Sequence, residues 1–321
     1  MSDMPTKVDI QEEGPREGFQ IEAGPISTKR KIELIDALSE TGLNKIQVAS
    51  FVNPKRVPGW ADADDVIRGF KAKDGVVYHA LWLNERGIER AMQHSDRLTH
   101  MGSISTTASE TFMKHNTNRG FQINREVQRG QIKLYKKYGI QVRRASIMTA
   151  FGCNFEGEIA PQLVVDRLKE ILDIADEEGT PIEILSVADT MGWAAPNSIK
   201  QVVGKVRESW PDKRICLHLH DTRGMGIANV YAGMEMGVDL FDSSVAGLGG
   251  CPFAALKGAA GNVCTEDIVF LCNEHGIETG VNLDALIEVA RLAEDIVGHP
   301  LPGSIMHAGS LTQYKVSQAA E

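Results

Sequence analysis

Ile215 to Thr222 reads I-C-L-H-L-H-D-T. The run follows a polar turn, Pro211-Asp212-Lys213-Arg214, and alternates apolar with polar residues, the two-residue period of a strand. Residues two apart on a strand face the same way, so His218 and His220 project together while Leu217 and Leu219 take the opposite face. Neutral imidazoles side by side suit a divalent metal. H-x-H alone is equally readable as two histidines satisfied in a core or at a surface.

On both sides of this strand the chain alternates between the two periods. Strands are predicted at Lys7–Gln11, Lys45–Phe51, Val76–Trp82, Arg97–Ser103, Gln141–Met148, Pro181–Val187, Arg214–His220 and Val238–Val245. Between them lie amphipathic helices, beginning with Thr28–Thr41, which Ser27 caps and Gly42 stops. The others are Asp62–Phe70, Glu85–Gln93, Arg119–Tyr138, Pro161–Glu178, Ser198–Ser209 and Gly224–Met236. Eight strands alternating with helices predict a parallel (β/α)8 TIM barrel rather than an open doubly wound sheet. Neither a G-x-G-x-x-G after the first strand nor a Walker P-loop is present. Residues 1–282 are read as the catalytic barrel and 283–321 as a C-terminal helical extension packed on it; after about Thr265 the chain adds helices at Glu266–His275 and Leu283–Ile296 that cover the barrel's side or end.

The bulk composition bounds the function. The chain has 321 residues, 42% hydrophobic and 24% charged, which argues for a globular protein and against disorder. Its net charge of −9 disfavours general nucleic-acid binding. No apolar run reaches membrane-spanning length, and Met1 to Lys7 carries no apolar signal core. Cys153, Cys216, Cys251, Cys264 and Cys272 follow no regular spacing, so a reduced, cytoplasmic protein is expected.

A barrel of this kind carries its chemistry at the C-terminal ends of the strands. Following each predicted strand brings to one rim Arg16-Glu17, then Gln47 to Ser50, Ser109-Glu110, Cys153 with Glu156, Asp189, His218 with His220, and Gly247 to Asn262. Each has a plainer reading. Arg16 can be a solvated loop arginine beside a Pro15–Gly18 turn, Cys251 a small buried hydrophobe, and Asn262 a cap for the helix opening at Thr265-Glu266.

At this point the chain resembles the 3-hydroxy-3-methylglutaryl-CoA lyase family of the DRE-TIM metallolyases. The stretches that carry the resemblance are G-P-R-E-G-F-Q (Gly14 to Gln20), S-F-V-N-P-K (Ser50 to Lys55), A-S-E-T-F (Ala108 to Phe112) and G-C-N-F-E-G (Gly152 to Gly157). They continue with A-D-T-M-G (Ala188 to Gly192), H-L-H-D-T (His218 to Thr222) and D-S-S-V-A-G-L-G-G-C-P-F-A (Asp242 to Ala254). The resemblance implies a carbon–carbon lyase holding a divalent cation, Mg2+ or Mn2+, on Glu17, His218, His220 and Asn262. It implies that Arg16 stabilises an enolate, that Cys251 on a glycine-rich loop handles the proton at the acyl-CoA carbon, and that Asp189 lies near the site. His218 or Glu17 would relay the hydroxyl proton. Ser109 and Arg223 are candidate contacts to the acyl-CoA, and a homodimer is a family-level expectation.

The chemistry stands apart from the family name. Cleaving a C–C bond next to a thioester leaves negative charge on oxygen, which a metal and a guanidinium both stabilise. A base must take the hydroxyl proton and an acid must protonate the carbon.

Two positions depart from the family pattern. R-E-G puts Glu17 where the family has aspartate, extending the carboxylate by about 1.5 Å. Gln47 stands in place of a glutamate and loses its charge, so any ion pair that held Arg16 must come from elsewhere. Gln47 stays among the candidate catalytic residues. Ala23 stands where lysine is common, Arg223 where tyrosine is frequent, and Trp193 where a smaller residue is usual. These suggest a bulkier or differently charged acyl group, or neutral drift. Two other readings remain open: a Claisen-type synthase or keto-acid aldolase of the same superfamily, and a catalytically silent acyl-CoA-binding paralogue.

Overall fold

The computed structural model describes residues 3–22, 24–249, 261–312 and 314–315. Its strands are β1 (Asp9–Glu12), β2 (Lys45–Ser50), β3 (Val77–Leu81), β4 (Gly102–Thr107), β5 (Val142–Met148), β6 (Ile184–Asp189), β7 (Arg214–Leu219) and β8 (Leu240–Ser243). Helices α1 (Gly14–Ile21) and α2 (Thr28–Ser39) precede β2, and α3 (Ala63–Gly69) and α4 (Glu85–Met92) flank β3. After β4 come α5 (Glu110–Thr117) and α6 (Phe121–Lys137), then α7 (Pro161–Glu177), α8 (Pro196–Ser209) and α9 (Gly226–Glu235) between the later strands. α10 (Thr265–Glu274), α11 (Leu283–Val297) and α12 (Ser304–Ala308) close the described chain.

Every paired strand is parallel to its neighbour, in the order β3-β2-β1-β8-β7-β6-β5-β4. The sheet curls into the (β/α)8 TIM barrel that the alternation predicts. Near the seam, the Thr99 amide ahead of β4 donates to the Tyr78 carbonyl of β3 at 2.7 Å. The helix-facing side of the sheet is apolar: Ile46, Val48, Ile104, Ala145, Ile147, Leu185, Val187, Leu217, Leu219 and Phe241 are all fully buried. Helices cover it with apolar stripes, such as Leu34, Ile35 and Leu38 of α2 or Val202, Val203 and Val206 of α8. Among the described residues no helix is long and apolar enough to cross a membrane.

Three local expectations are corrected. Gly14 to Gln20 lies on a helix, not a loop, because Pro15 in the first turn presets the helical φ. The fourth strand begins at Gly102 rather than Arg97. Arg97 donates to the carbonyls of Ile67 (2.7 Å) and Phe70, and the Leu98 amide bonds the His94 carbonyl (2.8 Å), which ties these two residues to the ends of α3 and α4 instead of the sheet. Finally, α5 stands where no helix was expected; the Ser109 hydroxyl caps it by accepting from the Phe112 amide at 3.0 Å.

Candidate active site

The two histidines at the end of β7 share a face, as alternation requires. Their ring centroids lie 5.2 Å apart, nearly perpendicular at 82°. α1 begins two residues after β1 and carries Arg16 and Glu17 across to them. Its orientation is fixed by Trp60, fully buried, whose indole donates to the Arg16 carbonyl at 2.9 Å. Asn262 arrives from far along the chain. The Val263 amide bonds the Leu219 carbonyl at 2.9 Å, the Asp221 amide bonds the Gly261 carbonyl at 3.0 Å, and between them His220 and Asn262 form an isolated antiparallel bridge.

One ligand atom each from Glu17, His218 and His220 lies within 4.8 Å of the other two. The donor set fits a cation on an independent ground. Glu17 Oε2, His220 Nε2 and Asn262 Oδ1 are buried and have no hydrogen-bond partner. Glu17 Oε2 has Arg16 Nη2 as an ion-pair partner at 3.2 Å, whereas His220 Nε2 and Asn262 Oδ1 are orphaned, and such costly buried acceptors have their natural complement in a positive ion. The atoms behind them are all engaged. His220 Nδ1 is 2.8 Å from the Asp189 carbonyl, which makes Nδ1 the protonated nitrogen and turns the Nε2 lone pair toward the site. His218 Nδ1 lies 3.2 Å from Asp242 Oδ2, and Asn262 Nδ2 donates to Ser244 Oγ at 2.8 Å. Asp242 in turn is ion-paired with Arg144.

The electrostatics divide the two histidines. Burial lowers the pKa of both, but for His218 the Asp242 hydrogen bond and the Glu17 and Glu13 carboxylates outweigh it and raise the value to about 9. His220 is lowered to about 4 by burial and then by the neighbouring His218. Burial also opposes ionisation of Glu17, yet Arg16, His218 and His220 together hold it below the usual carboxylate range.

Arg16 is gripped from three sides. Its Nε donates to Gln47 Oε1, its Nη2 donates to Glu13 Oε2 at 2.9 Å, and Nη2 lies 3.2 Å from Glu17 Oε2. Gln47 Nε2 is 3.3 Å from His79 Nδ1, whose pKa burial pushes well below the ordinary histidine value. Burial and then the nearby Asp242 carboxylate raise the Glu13 pKa, against Arg16 and His218.

The remaining candidates separate. The Asp189 carboxylate faces its own turn, accepting from the amides of Trp193 (2.7 Å) and Ala194 (3.0 Å), and burial raises it to about 6. Only its carbonyl reaches the histidines. Ser109 is fully buried, its hydroxyl engaged by α5 and by the Cys153 thiol at 3.1 Å. Arg223 is exposed and donates to the carbonyls of Met191 (2.9 Å) and Gly192 (2.7 Å). Trp193 packs flat on Gly152, where an added Cβ would meet the indole at 2.4 Å, and its ring N–H donates to Asn154 Oδ1 at 2.6 Å. Cys251 and Ala23 lie outside the described residues. Of the residues on either side of Cys251's segment, Gly249 meets the site and Gly261 meets Gly249. A Cβ on Gly249 would fall 2.9 Å from Glu17 Cγ, and one on Gly261 would fall 2.0 Å from the Gly249 carbonyl oxygen.

Sequence reasoning overlooked Glu13, Arg144, Asp242 and His79 as site residues. The two-residue spacing puts Gln11 and Glu13 on one face, where their side chains hydrogen-bond at 2.7 Å, but does not say which of Glu12 and Glu13 turns to the site.

Comparisons with known proteins give the chain its relatives. The model of the HMGL-like family matches residues 7–293. The hydroxymethylglutaryl-CoA lyase of Bacillus subtilis is 38% identical over 306 residues, covering 93% of this chain and 96% of that protein. The 3-hydroxy-3-isohexenylglutaryl-CoA/hydroxy-methylglutaryl-CoA lyase of Pseudomonas aeruginosa is 36% identical over 295 residues, 92% of this chain and 94% of its own. Among solved structures, an HMG-CoA lyase from Acinetobacter baumannii in complex with coenzyme A and 3-methylmalate superposes with a TM-score of 0.84 at 34% identity, covering 96% of each chain.

Proposed function

The chain belongs to the HMGL-like family, and on that footing we propose that it is a metal-dependent carbon–carbon lyase. Its substrate is a 3-hydroxyacyl-CoA of the 3-hydroxy-3-methylglutaryl-CoA type, and its products are acetyl-CoA, or a related acyl-CoA, and a keto compound. The observation that carries this reading is the cluster of Glu17, His218 and His220 beside the Arg16 guanidinium, with His220 Nε2 and Asn262 Oδ1 buried and without a hydrogen-bond partner.

Glu17, His218, His220 and Asn262 hold the ion. Their mixed oxygen and imidazole donors suit Mg2+ or Mn2+. When bound, the ion supplies Lewis acidity toward the substrate's oxygens. With Nε and Nη2 engaged, Arg16 keeps a fixed plane and offers Nη1 to the thioester oxygen. As the C2–C3 pair moves into the enolate, that guanidinium stabilises the charge on oxygen. The hydroxyl proton passes to one of two neighbouring bases, the Glu17 oxygen that the ion would leave free or a His218 whose Nε2 would have left the ion, Asp242 behind it favouring the protonated form. Cys251 returns a proton to C2. Support for that assignment is the contact of Gly249, which precedes its segment, with Glu17 and Asn262.

The test is a cleavage assay on metal-stripped protein, reduced, with and without added Mg2+ or Mn2+. The panel is a set of 3-hydroxy-3-substituted glutaryl-CoA esters, with acetyl-CoA and the keto product quantified by mass spectrometry. Metal-dependent appearance of both products in equal amounts is expected. Absence of cleavage across the panel would end the lyase reading.

A further inference from the structure

We propose that Glu13 is a positioning residue for Arg16, supplying from the end of β1 the carboxylate that position 47 lacks in this chain. The inference rests on the lyase reading above.

Gln47 is neutral and engages only the Nε edge of Arg16. The charge facing the guanidinium comes from α1 and its cap instead. Glu13 Oε2 takes Nη2 at 2.9 Å, with the two side chains only 8% and 13% exposed. Glu13 is itself held, because Gln11 Nε2 donates to its other oxygen at 2.7 Å. It is also the N-cap residue of α1, and its carbonyl accepts from the Glu17 amide at 2.9 Å. One residue therefore fixes both the enolate-stabilising arginine and the carboxylate ligand that follows it.

Glu13, His218 and Asp242 also lie close enough together to suggest a second cation site. The ion pairs argue otherwise. Glu13 already holds Arg16 and Asp242 already holds Arg144, so the cations in this cluster are side chains. Removing one member of a buried pair leaves an uncompensated charge, which is why Glu13 cannot be a bystander. A carboxylate at position 47 as well would place a third anion on a guanidinium that already faces Glu13 and Glu17. Beside the Glu17 ligand, the geometry thus calls for one positioning carboxylate, in either of two places.

The experiment compares wild type, Glu13→Gln, Gln47→Glu and the double variant Glu13→Gln/Gln47→Glu, all loaded with Mn2+. Cleavage kinetics are measured alongside calorimetric affinity for oxalate, a planar dianion that imitates an enolate. Glu13→Gln, nearly isosteric, should lower kcat by about 10²-fold through misplacement of Arg16. KM should stay near wild type, since the lost interaction serves the transition state. Oxalate should bind more weakly in that variant. The double variant should recover both kcat and oxalate affinity, an outcome no purely structural role produces. Wild-type kcat in Glu13→Gln, or no recovery in the double variant, would overturn the inference. If wild type cleaves no ester, the lyase reading fails while the oxalate affinities still decide the role of Glu13. Weakening in Glu13→Gln with recovery in the double variant supports it, and unchanged affinity refutes it.

Discussion

Asn262 faces His220 across an isolated antiparallel bridge, so a residue from beyond β8 is held in register with the histidine that follows β7. The same closure brings Gly249 against Glu17 and Asn262 at once.

Gly249 should therefore tolerate no side chain. Its φ is +98°, a region L-residues rarely adopt, and an added Cβ would lie 2.9 Å from Glu17 Cγ and 3.0 Å from Asn262 Nδ2. In Gly249→Ala, Mn2+ affinity should fall by about tenfold or more, the usual cost of disturbing groups that orient metal ligands. Circular dichroism should be unchanged. Wild-type affinity in a titration calorimeter would show that the loop base does not shape the ligand cluster.

Asp242 supports His218 and neutralises Arg144 while only 2% exposed. Arg144 carries a pKa above the ordinary arginine value; burial alone would lower it, and the Asp242 carboxylate outweighs that. Asp242→Asn leaves a buried guanidinium unpaired and should destabilise the fold by about 3–5 kcal/mol in urea unfolding. An unchanged unfolding midpoint would mean the pair is not structural.

Glu266 anchors the turn after β8 through the Ala246 amide, 3.0 Å from Oε2, and is fully buried. Burial lifts its pKa from the usual 4.5 to about 8. Asp267 and Glu12 face it and raise it further, and Glu12 is itself lifted to about 7 by its own burial. Between about pH 4.5 and 8 the unfolded carboxyl is ionised and the folded one is not, so stability declines as pH rises through that window and levels off above it. The slope from Glu266 is at most about 1.4 kcal/mol per pH unit. Glu266→Gln is neutral at every pH and should flatten this decline, matching wild type near the acid end and exceeding it near pH 8. Glu12 leaves a residual slope. Parallel stability–pH curves for the two proteins would refute the assignment.

The barrel was legible because its cause is local. Each strand and helix carries its own period, and the pairing of His218 with His220 follows from a two-residue repeat within one strand. Arg16 and Glu17 lie beside the histidines, but on a helix and not a loop: Gly14-Pro15 also reads as a turn, and the contact with Trp60 adds to Pro15 in deciding for helix. The Glu13–Arg16 and Asp242–Arg144 pairs were not legible. Glu13 sits beside Glu12, which points the other way and bonds the amides of Gly14 (2.7 Å) and Val245 (2.9 Å), and no local pattern tells the two apart. Asp242 meets Arg144 only because the closed sheet brings the side chains of β5 and β8 together inside the barrel.

The central claim is that Glu17, His218, His220 and Asn262 together hold one divalent ion. It is tested most directly by titrating metal-stripped wild type, Glu17→Asp and His220→Ala with Mn2+ and reading free ion by electron paramagnetic resonance. The structure predicts about one ion per chain in wild type, its loss in His220→Ala, and weaker binding in Glu17→Asp as the carboxylate retreats by about 1.5 Å. No ion in wild type with binding restored in Glu17→Asp, or equal binding in His220→Ala, would contradict it.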